Sequence, residues 1–190
     1  MAFLSRVQLE AIGFASLGDN VLISDAARIY NAGGISLCSN VRIDDFCILS
    51  AGRGGIHIGM HVHIGCFASL IGKETITLRD FAGLSARVSI FSSSDDYSGG
   101  FLTNPTVPER YRQVEHGAVD IGRHAIIGAG SVILPGVTVG EGASTGALTL
   151  VARDLEPFVS YIGVPARKTG ERKRDLLALE RQWKPQKPDR

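Results

Sequence analysis

Cysteine is scarce in this chain: three residues in 190, Cys38, Cys47 and Cys66, with no pair at metal-ligand spacing. An odd count of scattered thiols argues against a disulfide framework and suits a reducing compartment. Aromatic residues are also few, at 7%, while glycine occurs 23 times. That balance disfavours a core of large rings and predicts close-packed small and β-branched side chains. Net charge is nearly absent, at +1, which leaves no overall field to attract nucleic acid or an acidic membrane surface. No apolar run approaches the roughly 20 residues of a membrane-spanning helix, and no cationic segment with a long apolar run opens the chain. A soluble, cytoplasmic protein is expected.

What is present is a rhythm. Aliphatic side chains recur every sixth residue, most clearly at Ile121, Ile127, Ile133 and Val139. Four positions after each stands a small or β-branched residue: Ala125, Ser131, Val137 and Ala143. An earlier run reads Leu17, Ile23, Ile29, Ile35 and Val41. Ile58, Ile64 and Leu70, then Leu78, Leu84 and Ile90, keep the beat, with slips near residues 43–57 and 72–77. This period is neither that of a helix nor plain strand alternation. It suits a chain wound as a triangular prism, three hexapeptides to a coil, with spatial neighbours about 18 residues apart. Gly, Asp or Asn near the corners take turn conformations that bulky residues resist. An ordinary β-sandwich would not sustain this register. The fold expected is all-β: a parallel β-helix of hexapeptide repeats, with a long loop excursion and a short C-terminal helix.

The excursion lies at residues 91–118, where the beat stops after Ile90 and returns at Val119 or Ile121. Loops beyond about 12–15 residues in compact domains are usually functional or disordered. Tyr97, Phe101, Leu102, Val107 and Tyr111 give this one something to pack with, and Pro105 and Pro108 stiffen it. It reads as an ordered arm reaching toward a neighbouring subunit. From Glu171 the pattern changes again: Leu176, Leu177, Leu179 and Trp183 form a helical stripe that Pro185 ends. The expected division is a β-helix domain over 1–168 and a helix and tail over 169–190, the helix covering the open end or a side of the prism. Nine of the 20 Lys and Arg lie from Arg167 onward. They are either a solvated helix face or a site for a phosphate-bearing ligand.

The stretch IGRHAIIGAGSVILPGVTVGEGASTGALTLVARDLEPFVSYIGVPARK, from Ile121 to Lys168, resembles the hexapeptide acyltransferases, and the likeness covers roughly residues 12–168. Three further stretches are RIDDFCILSAG (Arg42 to Gly52), HVHIGCFASLIGK (His61 to Lys73) and SSSDDYSGGFLTNPTVPERY (Ser92 to Tyr111). They are similar to bacterial enzymes that N-acetylate a nucleotide-linked 4-amino-4,6-dideoxyglucose. The resemblance implies a left-handed coil and a homotrimer. It implies acetyl-CoA in the groove between subunits, its pantetheine arm along the last coils and its phosphates near basic residues after GVPARK (Gly163 to Lys168). The implied reaction is direct attack of the amine of dTDP-4-amino-4,6-dideoxyglucose on the thioester, for O-antigen or capsular polysaccharide synthesis. No metal is implied.

On that basis the cofactor candidates are the backbone at Gly128, Ala129 and Ala147, with Pro165, Ala166, Arg167 and Lys168 flanking adenine and phosphates. The alternative is that the Gly and Ala are merely repeat positions. Acyl transfer also needs oxyanion donors and a proton acceptor. Many relatives place a general-base histidine at the start of the arm, where this chain has Asp95 and Asp96. Those two either serve the chemistry, since a carboxylate can orient an amine or take its proton, or cap the turn after three serines. His116, at the arm's exit, is the leading histidine, against the reading of an exposed loop residue. Asp44, Asp45 and Tyr97 are the substrate-binding candidates; of the two consecutive acids, at most one would face the cleft. His61 and His63, two apart, suit metal ligation in principle, but outer-face or interface roles are favoured. His124 is expected at the surface or in a subunit contact. The competing functions are a sugar O-acetyltransferase, a trimeric metal enzyme and a non-catalytic β-helical interaction protein.

Overall fold

The structure, a computed structural model, describes residues 2–183. Each turn of the chain lays down three short strands, and successive turns stack in parallel into three sheets. The first face carries Ser16–Leu17, Ile35–Leu37, Ile56–Ile58, Ile76–Leu78, Val119–Ile121 and Thr138–Val139. The second carries Leu22–Ile23, Arg42–Ile43, His63–Ile64, Gly83–Leu84, Ile126–Ile127, Ser144–Thr145 and Val159–Ile162. The third carries Arg28–Tyr30, Ile48–Ala51, Ser69–Gly72, Ser89–Phe91, Val132–Ile133 and Leu150–Val151. The architecture is the left-handed parallel β-helix.

The period-six aliphatics plug the prism: Ile121, Ile127, Ile133 and Val139 are fully buried, and so are Ala125, Ser131 and Ala143 beside them. Burying each such aliphatic contributes roughly 1.5–3 kcal/mol, spread evenly along the column. Only the later coils keep the ideal repeat, however. Ile126 pairs with Ser144, 18 residues on, but Leu22 pairs with Arg42, Arg42 with His63 and His63 with Gly83, at spacings of 20, 21 and 20. The extra residues sit at the third-to-first corner, where Ala32–Gly34 forms a 3-10 turn and Gly55 N donates to Gly52 O. Hence Leu17 stacks on Leu37 and Ile23 on Ile43. The sequence run through Ile35 and Val41 kept its count but lost the coil register.

Bulky residues do occupy the corners, contrary to expectation: Phe46, Phe67, Phe81, Arg87, Leu148 and Phe158 all adopt positive φ. A left-handed conformation costs such residues about 1–2 kcal/mol. Stacking between coils offsets it. The Phe46 and Phe67 rings stack at 4.9 Å, and Phe67 N, Arg87 N and Leu148 N each donate to a carbonyl of the preceding coil.

Both ends carry elements of another kind. A helix at Arg6–Ile12, not foreseen from the hexapeptide pattern, begins with a capping box between Ser5 and Gln8 and ends at left-handed Gly13. Its Leu9 is buried among the core side chains. At the other end Arg167–Glu171 turns back as an antiparallel strand on Val159–Ile162. The helix Asp175–Gln182 then lies along a side of the prism, not over its end. Glu180 meets Arg123 and accepts from His124 at 2.8 Å, and Trp183 packs edge-on against His61. Pro185, read as the helix terminator, and the basic Lys184, Lys187 and Arg190 lie outside the described residues. No described helix is long and apolar enough to cross a membrane.

Candidate active site

The second-to-third corner has a distinctive lining. From coil to coil it presents Asp44–Asp45, Gly65–Cys66, Ser85–Ala86, Gly128–Ala129 and Gly146–Ala147. The steps are fixed by Phe67 N to Asp45 O, Arg87 N to Cys66 O, Gly130 N to Ala86 O and Leu148 N to Ala129 O, all 2.8–3.0 Å. Three of the sequence candidates, Gly128, Ala129 and Ala147, therefore share one edge with Asp44 and Asp45. Small side chains leave the backbone of this edge open to a thin ligand. Ala129 and Ala147 are exposed. Gly128 has a different reason to be small: a Cβ there would lie 2.4 Å from the carbonyl carbon of Gly146, so coil stacking itself demands glycine.

Beside this edge opens a cavity of about 270 Å³ lined by Asp44, His63, Cys66, Gly83, Ser85 and Ile126, among others. Asp44 is buried and doubly held, by Arg42 Nε at 2.7 Å and His63 Nε2 at 2.8 Å. Burial pushes its carboxyl upward, but the hydrogen bonds and charges of Arg42 and His63 outweigh that and keep it below the ordinary carboxylate value. Asp45 instead accepts a short hydrogen bond from the Ser24 hydroxyl. Asp44 thus faces the cavity, while Asp45 ties one coil to the previous one. His61 and His63 do not converge. His61 stacks on Phe81 at 5.0 Å in the first-to-second corner, and His124 stacks on the other side of Phe81 at 4.9 Å. Among the described residues no cluster of three or more His, Cys, Asp or Glu is placed to hold a metal ion.

The arm leaves the prism from the third face, toward the third-to-first corner. Its base is an antiparallel ribbon, Ser93–Asp95 against Val114–His116, with Ser93 opposite His116 and Asp95 opposite Val114. Side chains two apart on a strand share a face, so Ser93, Asp95 and His116 lie on one side of the ribbon. Ser93 Oγ and His116 Nδ1 are 2.8 Å apart. Among the described residues the Asp95 carboxylate accepts only a long bond, 3.3 Å, from Asn104 N. Asp96 is a turn builder: its two oxygens accept from Ser98 N at 2.9 Å and Phe101 N at 3.0 Å. The Ser98 hydroxyl first, and then these amides, hold its carboxyl below the ordinary value. Tyr97 is 93% exposed. Near the ribbon a second cavity, of about 320 Å³, is lined by Lys73, Glu109, Arg112, Val114 and His116. Arg112 Nε is buried there with no hydrogen-bond partner among the described residues.

Within one chain, then, the two halves of the predicted site stand on different edges of the prism. The terminal residues form a third group. Leu150 N donates to Gly163 O and Ala166 N to Leu150 O, which folds Gly163–Ala166 against the last coil. Lys168 pairs with Glu156 at 3.3 Å, and Arg167 is exposed opposite Ile162. Sequence reasoning assigned no site role to Ser85, Gly83, Cys66, Lys73 or Arg112. The lysine lay in view at the end of HVHIGCFASLIGK. Ser85 and Gly83 had no signal beyond occupying repeat positions.

The hexapeptide repeats that build the prism are shared with a class of bacterial transferases. Residues 118–153 match the family model for the bacterial transferase hexapeptide (six repeats). The chain is 49% identical over 97% of its length, and 96% of the relative's, to dTDP-4-amino-4,6-dideoxy-D-glucose acyltransferase of Escherichia coli. Among solved structures it is similar to AntD, an N-acyltransferase from Bacillus cereus, in complex with dTDP and 3-hydroxybutyryl-CoA (TM-score 0.91, 46% identity, 95% of each chain). It is equally similar to a serine-to-cysteine variant of AntD bound to dTDP-4-amino-4,6-dideoxyglucose and coenzyme A (TM-score 0.92, 45% identity, 95% of each chain). The chain belongs to this family of hexapeptide-repeat N-acyltransferases of dTDP-amino sugars.

Proposed function

We propose that this enzyme transfers an acetyl group from acetyl-CoA to the C-4 amine of dTDP-4-amino-4,6-dideoxyglucose, supplying an acylated sugar for surface polysaccharide in the cytoplasm. The observation that carries this reading is the pairing of the open second-to-third edge with a separate carboxylate-bearing arm, in a chain so similar to acyltransferases of that sugar. The pantetheine arm lies along Ala147, Ala129 and Ala86, which brings the thioester to the level of Ser85. Pro165 to Lys168 flank the adenine end.

The arm and the open edge belong to one site only if a second copy of the chain contributes one of them. A homotrimer with three equivalent clefts satisfies that requirement. In it, Asp95 receives the sugar amine and takes its proton as the amine attacks the thioester carbonyl. The C–S bond then breaks, and coenzyme A leaves as the thiol, which takes up that proton. An amine has a lone pair of its own near neutral pH, so a carboxylate suffices where a hydroxyl would need a stronger base. Lys73 and Arg112, with His116 beside them, offer cationic donors to the diphosphate. Tyr97 is free to meet the substrate from the neighbouring copy. The amine is itself the nucleophile, so transfer is direct and needs no covalent acyl-enzyme.

The test is thiol release from acetyl-CoA by the purified protein. dTDP-4-amino-4,6-dideoxyglucose is expected to support it, and the matching 4-hydroxy sugar is not. Turnover with the hydroxy sugar alone would make the enzyme an O-acetyltransferase.

A further inference from the structure

The outward side chains of the second face run Leu22, Arg42, His63, Gly83, Ile126, Ser144 and Ser160, one per coil. Gly83 is the break in that row. Many other glycines of the prism answer to the chain itself. A Cβ at Gly122 would lie 2.6 Å from Val139 O, and Gly72 combines φ +154° with a contact of 2.1 Å to Ser92. Gly83 has neither constraint: its φ is not left-handed, and a Cβ would meet nothing within 4 Å. A glycine inside a strand costs about 0.5–1 kcal/mol relative to alanine. The fold therefore favours a side chain here, and the space must be kept for something outside the fold.

That space is the floor of the cavity of about 270 Å³ beside Ser85. His63 and Ile126 flank it, two strand spacings or about 10 Å apart. We propose that the notch at Gly83 receives the acyl chain of the thioester beyond its carbonyl carbon, and thereby admits short acyl groups longer than acetyl, such as butyryl or 3-hydroxybutyryl. The inference rests on the acyltransferase reading. A pantetheine arm descending the small-residue edge from Ala147 to Ala86 advances about 4.8 Å per coil and delivers the acyl group level with the coil of Gly83 and Ser85. The recess there is larger than a methyl group needs. Ile126 gives it an apolar wall, and His63, held by Asp44, gives it a polar one that suits a hydroxyacyl chain.

The experiment measures kcat/KM of the full-length enzyme for acetyl-CoA, butyryl-CoA and 3-hydroxybutyryl-CoA, in the wild type and in Gly83→Ala and Gly83→Val. Wild type is expected to use all three. In Gly83→Val the ratio of butyryl-CoA to acetyl-CoA activity falls by about tenfold or more, the discrimination a filled acyl pocket gives, with alanine between. The ratio is insensitive to a general loss of folded enzyme. An unchanged ratio with a raised KM for the nucleotide sugar would give the notch to the sugar and overturn the proposal. An unchanged ratio with loss of the native oligomer would give it to a neighbouring subunit, and overturns it equally. Wild type that uses acetyl-CoA alone also ends the proposal. Wild type that releases thiol from no acyl-CoA removes the acyltransferase reading itself, a result distinct from the others.

Discussion

His63 Nε2 stands 2.8 Å from the carboxylate of Asp44, and Arg42 Nε grips the other oxygen of the same group at 2.7 Å, so one buried acid binds two consecutive coils at the rim of the cavity. Asp44→Asn removes the charge that both partners address. It is expected to lower stability by about 1–3 kcal/mol at neutral pH in chemical denaturation. The difference from wild type depends on pH with a definite sign. The folded carboxyl titrates below its ordinary 3.8, so its stabilisation is present above that pH and is lost as pH falls through the lower folded value. The gap between wild type and variant therefore closes in acid. A gap undiminished at the lowest pH at which the protein still unfolds cooperatively would show that the charge is not what holds the coils.

Asp95 and His116 share one face of the arm's ribbon but differ in what they have left to offer. Among the described residues the Asp95 carboxylate has only a long bond from Asn104, while His116 is engaged with Ser93 beside Lys73 and Arg112. Asp95→Asn is expected to lower kcat by about a hundredfold or more, the usual loss when a proton acceptor is removed, with KM for the nucleotide sugar little changed. His116→Asn is expected chiefly to raise that KM. Steady-state kinetics with dTDP-4-amino-4,6-dideoxyglucose separate the two, and the reverse pattern would make His116 the base.

The prism was legible because its physics is local and repetitive. Ile121, Ile127, Ile133 and Val139 must all point inward, and a period of six reports that without any knowledge of distant contacts. Coil register was less legible, since the insertions at Gly52–Gly55 and Ala32–Gly34 shift it without breaking the count. The Arg6–Ile12 helix was available in the Ser5 to Gln8 capping box, though it lay outside the hexapeptide pattern that organised the reading. Of the proposed site, the small residues Ala129 and Ala147 and the acid Asp44 were readable as motif positions. Ser85, Gly83, Lys73 and Arg112 were not, because their meaning comes from which coils the fold stacks together. Asp96 was ambiguous between chemistry and capping, and its two backbone bonds are the capping arrangement.

Gly128 offers a test of stacking against ligand approach. With a Cβ only 2.4 Å from Gly146 backbone, Gly128→Ala forces two coils apart. A loss of about 1–3 kcal/mol is expected in thermal or chemical unfolding, the cost of overpacking a filled site. Ala129→Gly, at the exposed neighbour, is expected to change stability much less. Equal and small effects at both positions would return Gly128 to the role of a mere ligand contact.

His124 joins the C-terminal helix to the prism, and its protonation is linked to folding. Burial, and then the nearby Arg123 charge, hold its imidazole below the ordinary 6.5, so the folded protein keeps it neutral where the unfolded chain accepts a proton. Its contribution is therefore complete above pH 6.5 and declines as pH falls below that value. His124→Gln keeps an N–H for Glu180, at present 2.8 Å away, but cannot titrate. The variant's stability is expected to be flatter than that of wild type as the solution is acidified from pH 6.5, before the carboxylates titrate. Denaturant midpoints measured across that interval decide it, and parallel curves for the two proteins would mean that the helix is held by Arg123, Glu180 and Trp183 without help from a neutral histidine.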